Sequence, residues 1–311
     1  MSKNFDEWTN ISLKNRNLLK ENFIISDFEQ VNRQISKKDK TQKFLFKTKD
    51  NNLIEAVFME FKDRDSFTAC ISSQIGCKMK CSFCSTGKLK FIRNLNSQEI
   101  IEQIVFMQRI TGKKFTNIVF MGQGEPLDNF DNLIASINII RKAIGISIRN
   151  ITVSTCGIIP KIKKLAELKL GINLAVSLHS VIQDKREFLM PIAKKYTLFS
   201  LINSLEYYFQ KTKRRITFEY IMLKNVNDSL ENALNFCDLL KEIKFACLIN
   251  LIPYNNSEDE ATCLYTGSNR SSIEKFKEII ERSGKKVTIR LSLGKDIKAA
   301  CGQLQNFHKQ F

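Results

Sequence analysis

From about residue 52 onward, short β-branched or aromatic runs alternate with amphipathic segments, and this alternation constrains the fold more than any other feature. Strands that alternate with helices predict parallel pairing through right-handed crossovers. Six or seven such units favour an α/β fold, and within it a partial (β/α) barrel rather than a flat sheet. The predicted strands span residues 67–72, 117–121, 151–154, 173–178, 216–223, 247–253 and 287–291.

Amphipathic helices are predicted between these strands. The first has a recognisable amino terminus, because Asn96 can cap it and Glu99 follows three residues later. Gly112 marks its end. The other predicted helices span residues 132–143, 161–168, 198–210, 230–241 and 272–283.

The first fifty residues are polar and are predicted to be helical at best, with a lysine-rich stretch, SKKDKTQK, that indicates a solvated loop. We therefore expect a short helical N-terminal appendage at residues 1–50 and one catalytic barrel at residues 51–311. No apolar run approaches the length of a membrane span, and residues 1–10 are typical of neither a signal peptide nor a transit peptide. These features predict a cytoplasmic protein without a membrane partner, which we expect to be a monomer.

Three of the nine cysteines, Cys77, Cys81 and Cys84, stand in the run GCKMKCSFCSTG. Thiolates with this CxxxCxxC spacing can converge on one inorganic centre from a single loop. A 4Fe–4S cluster usually ties each of its four irons to a cysteine, so three cysteines leave one iron free to hold a substrate. The spacing thus favours radical chemistry on S-adenosylmethionine (SAM). The alternative is a structural zinc site completed by Cys70.

The formal net charge of +17 predicts a polyanionic partner, because a polyanion releases counterions when basic groups neutralise it. An alternative source of this charge is a genome that favours lysine, since Lys, Ile, Asn and Phe are all abundant. Basic residues are nevertheless concentrated near the cysteine loop, and this clustering favours nucleic acid. The basic groups are Lys78, Lys80, Lys88, Lys90 and Arg93 near that loop, then Lys211–Arg215, and then Lys285 and Lys286.

Small hydrogen-bonding side chains stand where several of the predicted strands end. Singly, each is more often a capping or turn residue than a ligand. Together, above a cluster at the carboxyl ends of barrel strands, they predict the wall of a cofactor pocket, in which Glu125 can pair with an ammonium group. These residues are Glu125 in the segment GQGEP, Ser154, Ser177, His179 and Asn255.

Two cysteines outside the loop are predicted to meet at the mouth of the barrel. Cys301 lies in a loop-like run beyond the last predicted strand, and Cys70 lies on the first strand just before the cysteine loop. The alternative for Cys301 is core packing, which is usual for a free cysteine in an apolar segment. The remaining cysteines are predicted to be core or incidental residues, namely Cys156, Cys237, Cys247 and Cys263.

Seven segments, in the family's order across residues 4–304, resemble the radical-SAM RNA methyltransferases that modify adenosine in 23S rRNA, the RlmN/Cfr family. So many ordered matches make coincidence a poor explanation. The segments are ACISSQIGCKMKCSFCSTG, MGQGEPLDN, ITVSTCGIIP, LAVSLHS, IMLKNVNDS, NLIPYN and IKAACGQL.

The resemblance implies a role for each motif. The cysteines at 77, 81 and 84 would bind the 4Fe–4S cluster, and SAM would chelate its open iron. Cys301 would be methylated by one SAM, and a 5′-deoxyadenosyl radical from a second SAM would take hydrogen from that S-methyl group. The carbon radical would add to adenine, and Cys70 would resolve the adduct and leave a Cys70–Cys301 disulfide. The residues implied to contact SAM are Gly124, Glu125, Ser154, Ser177, His179 and Asn255.

The resemblance also implies a proton acceptor, Glu55, with Glu60 as the nearby alternative. Carbon C2 of adenine lies between two ring nitrogens and is electron-poor, so a carbon radical can add where nucleophilic methylation is unfavourable. The target base must leave its stack to reach the barrel. An electron donor such as flavodoxin is a further implied partner.

Pro126 and the wording CSFCSTG favour methylation of C2, in 23S rRNA and with tRNA as a further substrate. The alternative is the C8 methylation of the resistance branch. The family's N-terminal accessory domain is longer, and this chain is predicted to begin inside it. Two other classes stay open from the residues alone: a zinc-stabilised RNA-binding protein without catalysis, and a radical-SAM enzyme with a peptide or small-molecule substrate.

Overall fold

A ten-stranded sheet forms the centre of the protein. The structure is a computed structural model, which describes residues 4–23, 25, 28–61, 63, 65–255 and 264–305. The strands, including a separate two-stranded pair, are β1 (Glu29–Ile35), β2 (Gln42–Lys47), β3 (Leu53–Phe61), β4 (Ser66–Cys70), β5 (Gln74–Ile75), β6 (Arg93–Asn94), β7 (Asn117–Phe120), β8 (Ile151–Thr155), β9 (Asn173–Ser177), β10 (Ile216–Met222), β11 (Cys247–Pro253) and β12 (Lys286–Ile289).

Most of the sheet is parallel. Its strand order is β1-β2-β3-β4-β7-β8-β9-β10-β11-β12, and every pairing from β4 to β12 is parallel. Strands β4 and β7–β12 are the seven strands predicted from the sequence, so the predicted α/β partial barrel is confirmed. In β9, at the centre of this parallel part, Leu174 and Val176 on one face and Ala175 on the other are all buried.

The antiparallel edge of the sheet differs from the prediction. Residues 29–47 were expected to be helical at best, but they form β1 and β2, which extend the sheet through β3, itself a strand that was not predicted. The physical reason is the short run KFLFK, in which Phe44 and Phe46 are fully buried. The rings of Phe28 and Phe106 pack on Phe46, with centroids 5.6 and 5.9 Å away. The division of the chain at residue 50 stays a proposal.

Helices follow the parallel strands. The first long one, α3 (Ser97–Thr111), confirms its predicted ends: Asn96 and Glu99 form a capping box, and Gly112 closes the helix at φ +66°. No helix in the described part of the chain is long and apolar enough to cross a membrane. The helices are α1 (Leu13–Asn22), α2 (Ser85–Lys88), α3 (Ser97–Thr111), α4 (Phe130–Ile139), α5 (Ile159–Glu167), α6 (Gln183–Leu189), α7 (Leu198–Thr212), α8 (Leu230–Glu242) and α9 (Arg270–Glu281).

The cysteines predicted as core residues have different surroundings. Cys237 and Cys247 are buried and belong to the main hydrophobic core. Cys156 is also buried, but it lines a cavity at the carboxyl ends of the strands. Cys263 lies outside the described residues.

Candidate active site

The three loop cysteines, Cys77, Cys81 and Cys84, lie between β5 and α2, a few residues after the first parallel strand ends. Gly76, directly before the loop, has φ +73°. A Cβ atom at that position would lie 2.1 Å from the carbonyl oxygen of Lys90. The loop therefore enters the site through a tight turn that only glycine can make.

All three thiols line one open cavity of about 870 Å³, which we call the first cavity. Burial raises the pKa of Cys77 to about 12 and also raises the pKa values of Cys81 and Cys84. Each thiol therefore stays protonated unless a metal centre withdraws charge from its sulfur. Three thiols in one cavity fit a four-iron cluster that keeps one iron for another ligand.

The zinc alternative does not fit this arrangement. Cys70, its proposed fourth ligand, lies away from the first cavity and interacts electrostatically with Cys301 and Arg290. Among the described residues, no three His, Cys, Asp or Glu side chains are placed to hold a single metal ion. A four-iron cluster gives each thiolate its own iron, so its ligands need not meet at one point.

The carboxyl ends of four neighbouring parallel strands, β7 to β10, form another wall of the first cavity. The structure thus brings together five of the six residues predicted to contact SAM. Two residues that the sequence reasoning did not assign to the site, Cys156 and Glu219, stand among them. The predicted five are Gly124, Glu125, Ser154, Ser177 and His179.

Glu125 is a buried carboxylate held by the backbone. Its Oε1 atom accepts the Leu127 N–H at 3.0 Å, and its Oε2 atom accepts the Cys156 N–H at 2.8 Å. Burial raises the pKa of Glu125, although these hydrogen bonds oppose the shift. The side chains of Thr155 and Cys156 also hydrogen-bond to Glu125, and the negative charge of this carboxylate would attract a ligand ammonium group in the cavity.

His179 is held as a neutral imidazole. Its Nδ1 atom accepts the Ile221 N–H at 3.1 Å, which places the ring hydrogen on Nε2. Burial lowers the pKa of His179 to about 3, and the nearby Arg186 adds to this shift. The ring packs edge-on against Phe83 of the cysteine loop, with centroids 4.7 Å apart. His179 therefore joins a strand end to the loop and offers a donor, not a charge.

Arg186 is a fully buried cation beside the site that no sequence pattern predicted. Its Nη2 atom donates to the carbonyl oxygens of Cys156 at 3.0 Å and Ser177 at 3.3 Å. Its Nε atom has no hydrogen-bond partner among the described residues. The thiols of Cys156 and Cys81 lie near the Arg186 guanidinium group and would carry the opposite charge when deprotonated. A buried cation of this kind favours anionic groups in the first cavity.

A second cavity, of about 690 Å³, adjoins the first. Asn255, the sixth residue predicted to contact SAM, lines this cavity and not the first. Its Nδ2 atom donates to Pro253 O at 3.1 Å and Ser292 Oγ at 3.2 Å. Its buried Oδ1 atom has no hydrogen-bond partner within the described ranges, so it can accept from a bound ligand.

Cys301 lies where the two cavities meet, because it lines both. Cys70, at the end of β4, lines only the second cavity. Both are free thiols, and burial, with a contribution from Cys301, raises the pKa of Cys70 to about 12. Arg290 also lines both cavities and interacts electrostatically with the two cysteines. The structure thus places Cys70 and Cys301, which were predicted to meet, in the lining of the same cavity.

Glu55 lies outside both cavities. It is buried on β3, where it pairs with Lys43 at 3.1 Å and accepts the Gln305 N–H at 2.8 Å. Side chains alternate along a strand, so Glu55 lies on the face of β3 that carries Val57 and Met59, which line the second cavity. The alternative, Glu60, lies on the other face.

The basic groups predicted to surround the site are not equivalent. Lys78 pairs with Asp128 at 3.0 Å, and Arg93 forms ion pairs with Glu99 and Asp50, both at 2.7 Å, whereas Lys80 is exposed. The run 211–215 precedes β10, and residues 285 and 286 stand at the start of β12. Both therefore lie at the amino ends of parallel strands, opposite the cavities.

Comparisons with known proteins agree with this site. Residues 71–237 match the model of the radical SAM superfamily. The crystal structure of a radical SAM methyltransferase from Sphaerobacter thermophilus superposes with a TM-score of 0.91 and 36% identity, over 98% of this chain and 89% of that one. The fold and the three-thiol cavity thus define a radical-SAM enzyme.

Sequence relatives give the family within that class. The chain is 46% identical to a dual-specificity RNA methyltransferase RlmN of Clostridium novyi, over 97% of this chain and 87% of that protein. It is 42% identical to its counterpart in Clostridioides difficile, over 99% and 88%. The chain therefore belongs to the RlmN family of radical-SAM RNA methyltransferases. This membership excludes both the zinc-stabilised binding protein and the enzyme with a peptide or small-molecule substrate.

Proposed function

We propose that the protein methylates carbon C2 of adenine in 23S rRNA and in tRNA, with Cys301 as the methyl carrier. The placement of Cys301 carries this proposal, because its thiol belongs both to the cavity that fits the cofactors and to the cavity that holds Cys70. One sulfur can therefore face two partners in turn. Pro126, which lines the first cavity, and the sequence of the segment CSFCSTG support methylation at C2 over methylation at C8.

The residues of the first cavity are proposed to hold the cofactors. Cys77, Cys81 and Cys84 would ligate a 4Fe–4S cluster. When bound, the cluster and SAM supply a transferable methyl group and a radical that can remove hydrogen from carbon. Glu125 would accept hydrogen bonds from the SAM ammonium group, and His179 would donate from Nε2 without adding charge. The further proposed contacts are Gly124, Ser154, Ser177 and Asn255, of which only Asn255 faces the second cavity.

The residues of the second cavity are proposed to release the product. A covalent link between Cys301 and the base is broken when the sulfur of Cys70 attacks the sulfur of Cys301 and forms a disulfide. The electron pair of the broken S–C bond stays with carbon, which then takes up a proton to complete the methyl group. The high pKa of Cys70 means that its proton must be removed first. Arg290, near both sulfurs, stabilises the thiolate. Glu55 is the proposed acceptor of the proton from the adduct.

Product release leaves the enzyme oxidised, so a dithiol reductant must restore Cys70 and Cys301 before the next turnover. The cluster needs a one-electron donor, for which we propose a flavodoxin-type protein. We further propose that the enzyme acts in the cytoplasm as a monomer.

Nucleoside mass spectrometry tests the proposal. The protein is incubated anaerobically with RNA, SAM and a reductant, and the RNA is digested to nucleosides. We expect 2-methyladenosine from the wild-type protein and none from Cys301→Ala, which should keep its iron content. Cys247→Ala, a buried cysteine of the core, is the matched control and should stay active. An 8-methyladenosine product would refute the C2 assignment, and full activity of Cys301→Ala would refute the carrier role.

A further inference from the structure

The lysine-rich turn between β1 and β2 is fixed onto the loop that carries Cys301. Ser36 Oγ donates to Asp296 Oδ1 at 2.8 Å, and the Lys37 N–H donates to Asp296 Oδ2 at 3.1 Å. In the other direction, the Gly294 N–H donates to Asp39 Oδ2 at 2.8 Å. The sequence indicated a solvated loop here, but a turn held by three such hydrogen bonds has a defined orientation.

This contact places the turn beside the second cavity. The C-terminal loop lines that cavity with residues 291–293 and again with residues 299–302, while the segment between them lies against the turn. The lysines of both segments are exposed to solvent. We call them the lysine surface, which consists of Lys37, Lys38, Lys40, Lys295 and Lys298.

The lysine surface is positive because its lysines outnumber its two acidic neighbours, Asp39 and Asp296, whose oxygens are engaged in hydrogen bonds. Asp39 accepts the N–H groups of Thr41 and Gly294, at 3.0 and 2.8 Å, and Asp296 accepts from Ser36 and Lys37. Five lysines thus stand against two aspartates whose oxygens are engaged with the protein. Two of the other basic groups, at 211–215 and 285–286, lie at the amino ends of the parallel strands, opposite the cavities.

We propose that the lysine surface docks the RNA backbone next to the second cavity, an inference that rests on the proposed function. A base that reaches Cys301 has to leave its stack, and the phosphates on either side of it must then be held near the cavity mouth. Lysines act on phosphates as mobile point charges, so the surface contributes affinity and position without reading sequence. Electrostatic binding of this kind weakens steeply with salt.

The salt dependence of RNA binding tests this surface on the full-length, cluster-loaded protein. Affinity for a tRNA transcript is measured between about 50 and 200 mM KCl, the range in which phosphate contacts dominate. We expect the triple variant Lys37→Gln/Lys38→Gln/Lys40→Gln to lower the slope of log K against log salt by about two to three. Affinity at the lowest salt should fall by more than tenfold. Iron content and RNA-independent SAM cleavage should not change, because these lysines are not among the residues lining the first cavity.

Two matched variants separate position from total charge. The triple variant Lys213→Gln/Arg215→Gln/Lys286→Gln removes the same charge at the amino ends of the strands and should leave the slope near the wild-type value. The charge-preserving variant Lys37→Arg/Lys38→Arg/Lys40→Arg should also keep the wild-type slope.

Other outcomes overturn the inference. Equal losses in the two glutamine triples would attribute binding to net charge. The glutamine triple variant of the lysine surface could keep the wild-type slope of RNA affinity against salt while flavodoxin reduces its cluster more slowly. That result would assign the lysine surface to the binding of an acidic electron donor. Wild-type RNA binding without any methyladenosine product would refute the proposed function and leave the docking surface standing.

Discussion

The buried neutral His179 predicts that the folded protein loses stability in mild acid. The imidazole has an ordinary pKa of 6.5, which burial lowers to about 3 in the folded state. In the unfolded chain it therefore binds a proton at a pH where the folded protein cannot. The stability that depends on this neutral ring is complete above pH 6.5 and is lost as the pH falls towards 3.

The size of this loss follows from the two pKa values of His179. Each unit by which the pKa of His179 differs between the folded and unfolded states changes the free energy of unfolding by up to about 1.4 kcal/mol. Lowering the pH from 7 to 5 thus reduces the free energy of unfolding by about 2 kcal/mol, and the reduction approaches its limit of about 5 kcal/mol below about pH 3. The loss has a structural source, because protonation of Nδ1 would remove the acceptor for the Ile221 N–H.

Urea unfolding of the metal-free protein at pH 7 and pH 5 measures this effect, with circular dichroism as the probe. The comparison variant is His179→Asn, because asparagine tolerates the φ of +57° at this position and its Oδ1 atom can accept the Ile221 N–H. We expect the wild-type protein to lose about 2 kcal/mol more than the variant between the two pH values. Equal losses in the two proteins would refute the reasoning, because the other titrating groups cancel in the difference.

Three other predictions concern the site. In Cys70→Ala, a covalent RNA–protein adduct should accumulate on denaturing gels, and release of methylated RNA at the wild-type rate would contradict the resolving role. In Arg186→Met, the loss of the buried positive charge should lower the reduced fraction of the cluster about tenfold at fixed potential, or about 59 mV for one electron. Arg186→Lys should keep the reduction potential of the cluster. If an EPR-monitored titration showed equal shifts of this potential in both Arg186 variants, the role of the residue would be purely structural. In Asp39→Ala, the loss of the acceptor for the Gly294 N–H should open the C-terminal loop and speed alkylation of Cys301 about tenfold, while unchanged kinetics would show that the turn does not hold the loop.

The sequence predicted the parallel part of the fold because its strands are short β-branched and aromatic runs that alternate, up to β12, with amphipathic helices. The ends of α3 could be predicted for a similar reason, since the capping box and the closing glycine are local signals. Strands β1 and β2 escaped the same reasoning. Their short apolar run stands between polar segments, and its burial depends on distant partners such as Phe106 in α3.

The candidate site was predictable where its residues follow the strand-end rule. Glu125, Ser154 and Ser177 could be brought together before the structure was known, because parallel strands end at one edge of the sheet. Arg186 and Arg290 could not, because nothing local distinguishes them from exposed basic residues. Only the tertiary fold shows that both are largely enclosed.

Net charge alone could not locate an RNA surface, because only the tertiary fold shows which basic groups are neutralised and which lie beside the site. Arg93 stands in the basic sequence around the cysteine loop, yet Glu99 and Asp50 neutralise it. The lysines of the β1–β2 turn stand more than 250 residues from Cys301, yet hydrogen bonds bring them to its loop. The contact that positions the loop also occupies the carboxylate oxygens of Asp39 and Asp296, the two acidic groups beside these lysines. One set of interactions thus explains both how the carrier cysteine is held and why the surface beside it is positive.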